Sequence, residues 1–319
     1  MLKFAFFLKT YHGDEQRTRR LVDSWNRCNV ENLKMFIMCP KEDVDRFKNL
    51  ETHNIMVIEE EQIKTPLFTE DIQWSKGYLN QEIFKLAFWE LGLCENYQCI
   101  DADALFIRPF FLKDFMYDKD TPYTILVEDN DLRSDVYYNK LYWNSRMRWI
   151  KRIEDALDYH PYKLLTCHGF QIFSAKVLKN FKEKYLLPNG YTYRDAIDIA
   201  PYEFTWYNLW LQKMEVIPIK VCEPNFKTFH LKQHHINAVL NGMKIEDWAK
   251  GYLGIVVNSN YGIGSGDYDD LSIYDSTNAG LNIETVKKNY IFYKKIYGGK
   301  KHKNRLNEGI KRFVRRITK

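Results

Sequence analysis

The chain has 319 residues, 45% hydrophobic and 16% aromatic, which supplies a sizeable core and argues against a small disulfide-stapled scaffold. Its 47 basic and 42 acidic residues are unevenly spread: residues 287–319 hold 13 Lys or Arg and one acid, Glu308, leaving 34 basic and 41 acidic residues in 1–286, a net charge of −7. The six cysteines (28, 39, 94, 99, 167, 222) form no Cys-x-x-Cys pair, which speaks against a zinc or redox motif, and free thiols fit a reducing cytoplasm.

The first apolar run, 3–8, reads as a strand, and with Lys9 cutting it short it does not suit a signal peptide. A polar turn, Thr10 to Asp14, leads to an amphipathic helix at 15–27 with Leu21, Val22 and Trp25 on one face. Met35–Met38 and Ile55–Ile58 read as further strands, and 59–75 as a loop. Ile83, Phe84, Ala87, Phe88 and Leu91 recur at helical spacing, which predicts a helix over 78–91 ended by Gly92. Tyr97–Ile100 is a strand running into Asp101. Next come a strand at Tyr123–Val127, a polar helix at 134–157, a strand at Phe170–Phe173 and a helix at 175–185. A helix at 202–213 then feeds a strand at Val216–Val221. The Gly-, Ser- and Asn-rich stretch 254–281 reads as a mobile loop, with the glycines of Tyr261-Gly-Ile-Gly-Ser-Gly266 a weak lid candidate. Strands alternating with helices predict an α/β fold on a mostly parallel sheet. No run approaches the ~18 apolar residues of a membrane-spanning helix. The expected organisation is one catalytic domain, 1–286, and a basic tail, 287–319.

Asp101 and Asp103 lie two apart at a strand end, where side chains i and i+2 point the same way. Two close carboxylates repel unless a cation compensates, and their oxygens suit Mg²⁺ or Mn²⁺. Ligands of open α/β sheets bind beyond the carboxyl ends of the strands, which is where this pair falls.

Trp74-Ser-Lys-Gly-Tyr-Leu-Asn-Gln-Glu-Ile-Phe-Lys85, followed by Asp101-Ala-Asp103, resembles the GT-A glycosyltransferases. The nearest pattern is that of bacterial glycosyltransferase-like proteins with a Trp-Tyr-Gln-Gln-x-x-x-Lys-like helix ahead of Asp-x-Asp. Lipooligosaccharide galactosyltransferases also carry a similar motif and a basic tail. Here Gln81-Glu82 stands where the pattern has Gln-Gln. The resemblance implies a single Rossmann-like GT-A domain binding a nucleotide-diphosphate sugar, a UDP-sugar by preference. It places Thr10, Tyr11 and Asp14 near the nucleotide, and Gln81 and Lys85, one helical turn apart, near the donor or its phosphates. A salt bridge flanking the core is the alternative for Lys85, and packing the alternative for Trp74 and Tyr78.

In the second half, His168 in Thr166-Cys-His-Gly-Phe-Gln171 falls where such enzymes meet the acceptor. Glu203 opens a helix, where the dipole favours a carboxylate in any case; the resemblance makes it a candidate general base. Phe229-His-Leu-Lys-Gln-His-His235 offers a late metal ligand among His230, His234 and His235, with His230 preferred, and Lys232 as a diphosphate contact. In the tail, Leu306, Ile310, Phe313 and Ile317 share one helical face amid Lys and Arg, the pattern of a helix lying on anionic lipid. The acidic main body argues against nucleic acid. The reading is a metal-dependent sugar transferase acting on a glycan or lipid-linked hydroxyl in bacterial capsule, surface polysaccharide or lipooligosaccharide synthesis. It would be cytoplasmic and peripheral on the inner face of the cytoplasmic membrane. Its competitors are a metal-dependent nucleotidyl- or phosphotransferase, marked by a third carboxylate near the site, and a non-catalytic membrane-associated binding protein.

Overall fold

The computed structural model describes residues 1–134, 138–167, 169–229, 234–235, 238–239 and 241–257. The chain divides into two compact units, one formed by Met1–Ala102 with Phe110–Pro224, the other by Asp103–Pro109 with Asn225–Lys319. The expected boundary at 286/287 lies outside the described residues.

The first unit is built on a five-stranded sheet. Its strands are β1 (Ala5–Lys9), β2 (Lys34–Cys39), β3 (Ile55–Glu59), β4 (Asn96–Ile100) and β7 (Ile172–Ser174), in the order β3-β2-β1-β4-β7. The first four run parallel, and β7 closes the edge antiparallel to β4. The α/β class and the mostly parallel sheet are thus as expected, with one reversed edge strand. β1 reads Ala-Phe-Phe-Leu-Lys with four residues buried, as a strand covered on both faces requires. Phe7 stacks on Phe88 with centroids 4.2 Å apart, while Phe6 packs edge-on to Trp25, Phe110 and Phe115. Trp25 comes from α1 (Glu15–Cys28), whose buried stripe includes Leu21 and Val22. Each such ring removed from water contributes roughly 1.5–3 kcal/mol.

The helix before β4, Lys76–Ala87, is capped by the Ser75 side chain, which accepts from the Tyr78 N–H. Its last turn tightens over Phe88–Leu91 and ends at Gly92, whose φ of 65° is costly for a residue with a Cβ. The stretch expected as one helix over 134–157 is interrupted. A short helix, Asn130–Ser134, comes first; a π-helical turn, Asn139–Trp143, then leads into the helix Asn144–Leu157. The strand expected at Val216–Val221 is only β8 (Val221–Cys222), paired in parallel with β6 (Thr124–Ile125).

The second unit has a three-stranded sheet that periodicity did not predict. It is made of β5 (Ala104–Phe106), β9 (Phe226–Phe229) and β10 (Gly254–Val257), in the order β5-β10-β9. The expected loop at 254–281 therefore begins with a strand; residues from 258 on, with Tyr261–Gly266, lie outside the described residues. Gly254 is required there, because a Cβ would meet the Phe226 ring and come within 2.7 Å of the Leu105 carbonyl oxygen. Phe229, Val239, Trp248 and Ile255 form this unit's core. No described helix is long and apolar enough to cross a membrane.

Candidate functional site

The strand order of the first unit reverses at β1. The chain passes from β1 to β2 on one side, and β4 joins β1 on the other, with Leu8 opposite Ile100. Such a reversal opens a crevice beyond the carboxyl ends of the two strands, the usual ligand position in open α/β sheets. Thr10 follows β1 there and Asp101 follows β4.

Several side chains meet at the β4 end. Gln81 Nε2 donates to Asp101 Oδ1 at 2.7 Å. Lys85 Nζ lies 3.2 Å from the same oxygen and 2.9 Å from Glu203 Oε1, with Glu82 Oε1 at 3.8 Å. The ammonium also sits 4.9 Å from the centre of the Phe204 ring. The geometry follows from local structure. Gln81 and Lys85 are one turn apart on the Lys76–Ala87 helix and share a face. That helix is tied to β4 by the Tyr97 hydroxyl, which donates to the Lys85 carbonyl at 2.7 Å. It is tied to the segment before Glu203 by the Tyr78 hydroxyl, which donates to the Pro201 carbonyl at 3.0 Å. Glu203 itself begins the helix Glu203–Met214.

Lys85, Glu82 and Glu203 are buried, and Asp101 is partly exposed. Burial opposes the charge on Lys85, but Asp101 and Glu82 together outweigh it and hold the ammonium above its ordinary range. Burial also dominates at Glu82, whose carboxyl is pushed up to about 8 despite the pull of Lys85. Its 3.8 Å approach is too long for a close ion pair, and its Oε2 has no hydrogen-bond partner among the described residues. Lys85 is thus shared chiefly by Asp101 and Glu203.

The β1 end is arranged differently. Thr10 is buried and its hydroxyl is paired with that of Thr18 at 2.7 Å. Lys9 reaches Glu60 at 2.7 Å, and Asp14 holds Arg17 at 2.5 Å. Tyr11 is exposed, its ring edge-on to His12. The His12 backbone N–H donates to the buried Asp43 carboxylate at 2.8 Å. His12 and Asp43 were not singled out by sequence; Asp43 carries no motif and lies just after β2, the strand next to β1.

A second buried charge pair was also missed. Arg146 Nη2 donates to Asp129 Oδ2 at 2.8 Å, with both side chains about 95% buried. Its guanidinium lies 5.4 Å from the centre of the Tyr202 ring, next in sequence to Glu203. A signal did exist: Arg146 shares the helical stripe of Ile150, Ile153 and Leu157, so the sequence places a charge on the inward face.

The family model described as a family of unknown function, DUF6492, matches residues 5–169. The chain belongs to this family. No curated protein matches it in sequence. Among solved structures, the apo form of WbbM, a bifunctional glycosyltransferase, is similar over 80% of this chain and 45% of its own length, at 12% identity and a TM-score of 0.48. The chain thus spans less than half the length of that protein.

In this DUF6492 member, then, Gln81, Lys85, Asp101 and Glu203 come together, while Thr10 and Asp14 are engaged within their own turn and helix. Asp103 belongs to the second unit. His168, His230 and Lys232 lie outside the described residues. His235 is buried, and burial pushes its imidazole down to about 4, so it is neutral in the physiological range. Among the described residues, no three His, Cys, Asp or Glu side chains form a group that could hold a metal ion.

Proposed function

We propose that this chain is a glycosyltransferase that takes a sugar from a nucleotide-diphosphate donor, a UDP-sugar by preference, and passes it to a hydroxyl of a glycan or lipid-linked acceptor. The observation that carries the reading is the cluster in which Gln81 and Lys85 both hold Asp101 Oδ1 and Lys85 also holds Glu203, at the strand-order reversal of a parallel sheet. A carboxylate fixed on one oxygen by an amide and an ammonium is pre-oriented, as the ligands of hard cations are by their neighbours. Asp101, Asp103 and His230 are proposed as the residues that would hold Mn²⁺ or Mg²⁺. Such an ion, when bound, would neutralise charge on the departing diphosphate.

The chain's own residues have distinct parts. Gln81 fixes the Asp101 carboxylate. Lys85, buried beneath Asp101, offsets the charge of Asp101 and Glu203 and holds both carboxylates in place. Glu203, buried and paired with that ammonium, is poorly placed to accept a proton from an acceptor hydroxyl. It acts here by holding Lys85, and the proton passes to another group, for which His168 remains the candidate. Thr10, Tyr11 and Asp14 shape the wall of the crevice beside the nucleotide, and Lys232 is proposed as a diphosphate contact. The segment 305–319 is proposed to dock on anionic lipid, which would hold the enzyme at the inner face of the cytoplasmic membrane for bacterial surface-glycan synthesis.

Further carboxylates beside Asp101 are also what a nucleotidyl- or phosphotransferase would show. Here Glu203 is closed on Lys85, and Glu82 is buried beside the same ammonium, so neither is an open ligand, and the sugar-transfer reading is favoured. The test is nucleotide release from a panel of nucleotide sugars in Mn²⁺, with and without EDTA. Asp101→Asn is expected to lower release by about a hundredfold or more with the fold intact, since charge stabilisation by a metal is worth several kcal/mol. Release from no donor, or release indifferent to both EDTA and the substitution, overturns the proposal. Removal of residues from Arg305 onward should abolish binding to anionic vesicles while leaving release unchanged; retained vesicle binding would remove the tail from the reading.

A further inference from the structure

The turn after β1 holds one side chain that its neighbours leave half used. Thr10, Asp14 and Lys9 close on Thr18, Arg17 and Glu60. His12 is paired on one side only. Its backbone N–H and its Nδ1 both meet Oδ2 of Asp43, at 2.8 and 3.2 Å. Asp43 is buried, and its other oxygen, Oδ1, faces Arg46 Nε at 3.5 Å. The carboxylate is held by all three groups, and it fixes the imidazole by one nitrogen. The rest of the ring is open, since the His12 side chain is 63% exposed against 4% for Asp43. Nε2 has no hydrogen-bond partner among the described residues. A ligand reaches it without entering the core.

The pairing decides what Nε2 can do. A carboxylate only accepts, so Nδ1 carries the hydrogen, and in the neutral ring Nε2 is left as an acceptor. It needs a donor from the ligand. Tyr11, also exposed, stands edge-on to the imidazole with ring centres 5.2 Å apart. It lies over Gly13, where a Cβ would come within 2.6 Å of the ring. Beside the imidazole there is thus an aromatic ring, a setting that suits a flat, uncharged partner.

Position narrows the ligand further. His12 follows β1 and Asp43 follows β2, while Asp101 follows β4 on the other side of β1. Neighbouring strands lie about 4.8 Å apart, so β2 and β4 are roughly 10 Å apart along the carboxyl edge of the sheet. A nucleotide with its phosphates at the β4 end carries its base to the β1–β2 side.

We infer that His12, held by Asp43, selects the base of the bound nucleotide by accepting a ring N–H, which uracil and guanine have and cytosine and adenine lack. The latter two present a lone pair at the corresponding ring nitrogen, which would face the lone pair of Nε2 and leave both unmet. A ribose hydroxyl also donates, but it is common to all four nucleotides and gives no preference. That the nucleotide belongs to a sugar donor rests on the sugar-transfer reading; that His12 selects the base does not.

Titration calorimetry of the full chain with Mg²⁺, at about pH 8.5, above the range in which imidazoles carry charge, compares UDP with CDP and GDP with ADP. The members of each pair match in size and charge. In at least one pair the base with the ring N–H should bind about tenfold more tightly. His12→Phe keeps a ring and removes the acceptor. It should erase the preference by weakening that nucleotide about tenfold and its counterpart less than about threefold. Equal affinities within both pairs, a preference for cytosine or adenine, binding of none of the four, or a folded His12→Phe chain with its preference intact overturns the inference. If His12→Phe does not fold, His12→Ala is read by the same ratio. A His12-dependent base preference without turnover of any nucleotide sugar keeps the base selection and removes the transferase reading. Turnover without that preference does the reverse.

Discussion

The carboxyl ends of β1 and β4 are neighbours, and both carry a short polar motif, yet the two are used in opposite ways. After β1, the Thr10 hydroxyl is taken by Thr18, Asp14 by Arg17 and Lys9 by Glu60. Thr18 and Arg17 are close in sequence to their partners, and Glu60 directly follows β3 of the same sheet. After β4, Gln81 and Lys85 both reach the Asp101 carboxylate, and Lys85 also holds Glu203 from a distant helix. Polar residues that pair off locally hold a turn in shape. Polar residues drawn from distant segments to one point impose desolvation and repulsion that local structure does not need, and that is the mark of a site.

Removing the cation breaks this contrast most severely. Lys85→Met leaves Glu203 buried beside Asp101 with no compensating charge. Breaking a buried pair from one side costs about 3–5 kcal/mol. Urea titration should show a loss of that size, and nucleotide-sugar turnover should vanish with it. A loss under about 1 kcal/mol would mean that Lys85 is already solvated, and that the β4 end is no more demanding than the β1 end.

Glu82 sharpens the comparison through pH. Its carboxyl titrates near 8 in the folded chain and near 4.5 in the unfolded one. Between those values the folded state holds a proton that the unfolded state has released, so stability falls as pH rises. The contribution is fully present below about 4.5 and gone above about 8. Glu82→Gln mimics the protonated form and should flatten the decline, with melting temperatures that converge with wild type at pH 5 and exceed it at pH 9. Parallel pH profiles for the two chains would show Glu82 to be ionised throughout.

Much of the fold was legible because β1 to β3 are largely apolar runs and the helix before Asp101 repeats its apolar residues at helical spacing. The second unit's sheet was not. Phe226-Lys-Thr-Phe is short, Gly254-Ile-Val-Val opens a stretch rich in loop-forming residues, and Ala104–Phe106 is only three residues long. What stabilises these strands is pairing between segments far apart in sequence, Gly254 with Phe106 and with Phe226, for which periodicity carries no signal. At the site, Gln81, Lys85, Asp101 and Glu203 were each visible as candidates, but their contact was not, because it depends on how two helices flank β4. Arg146 and Asp129 were hidden in a polar helical stretch where charges ordinarily face water.

The smallest expected effect tests the β1 side. Asp14 and Arg17 are three residues apart and both partly exposed, so their pair is screened and contributes about 0.2–1 kcal/mol. Asp14→Asn should therefore shift the melting temperature by no more than about 4 °C. The more telling measurement is nucleotide affinity. A carboxylate already engaged by Arg17 has little left to offer a ribose or base, so the affinity for UDP should change less than about threefold, a difference below 1 kcal/mol. A tenfold loss would mean that Arg17 releases Asp14 when nucleotide binds. The β1 turn would then be part of the site in the same sense as the Lys85 cluster, held closed by a local pair that the ligand replaces.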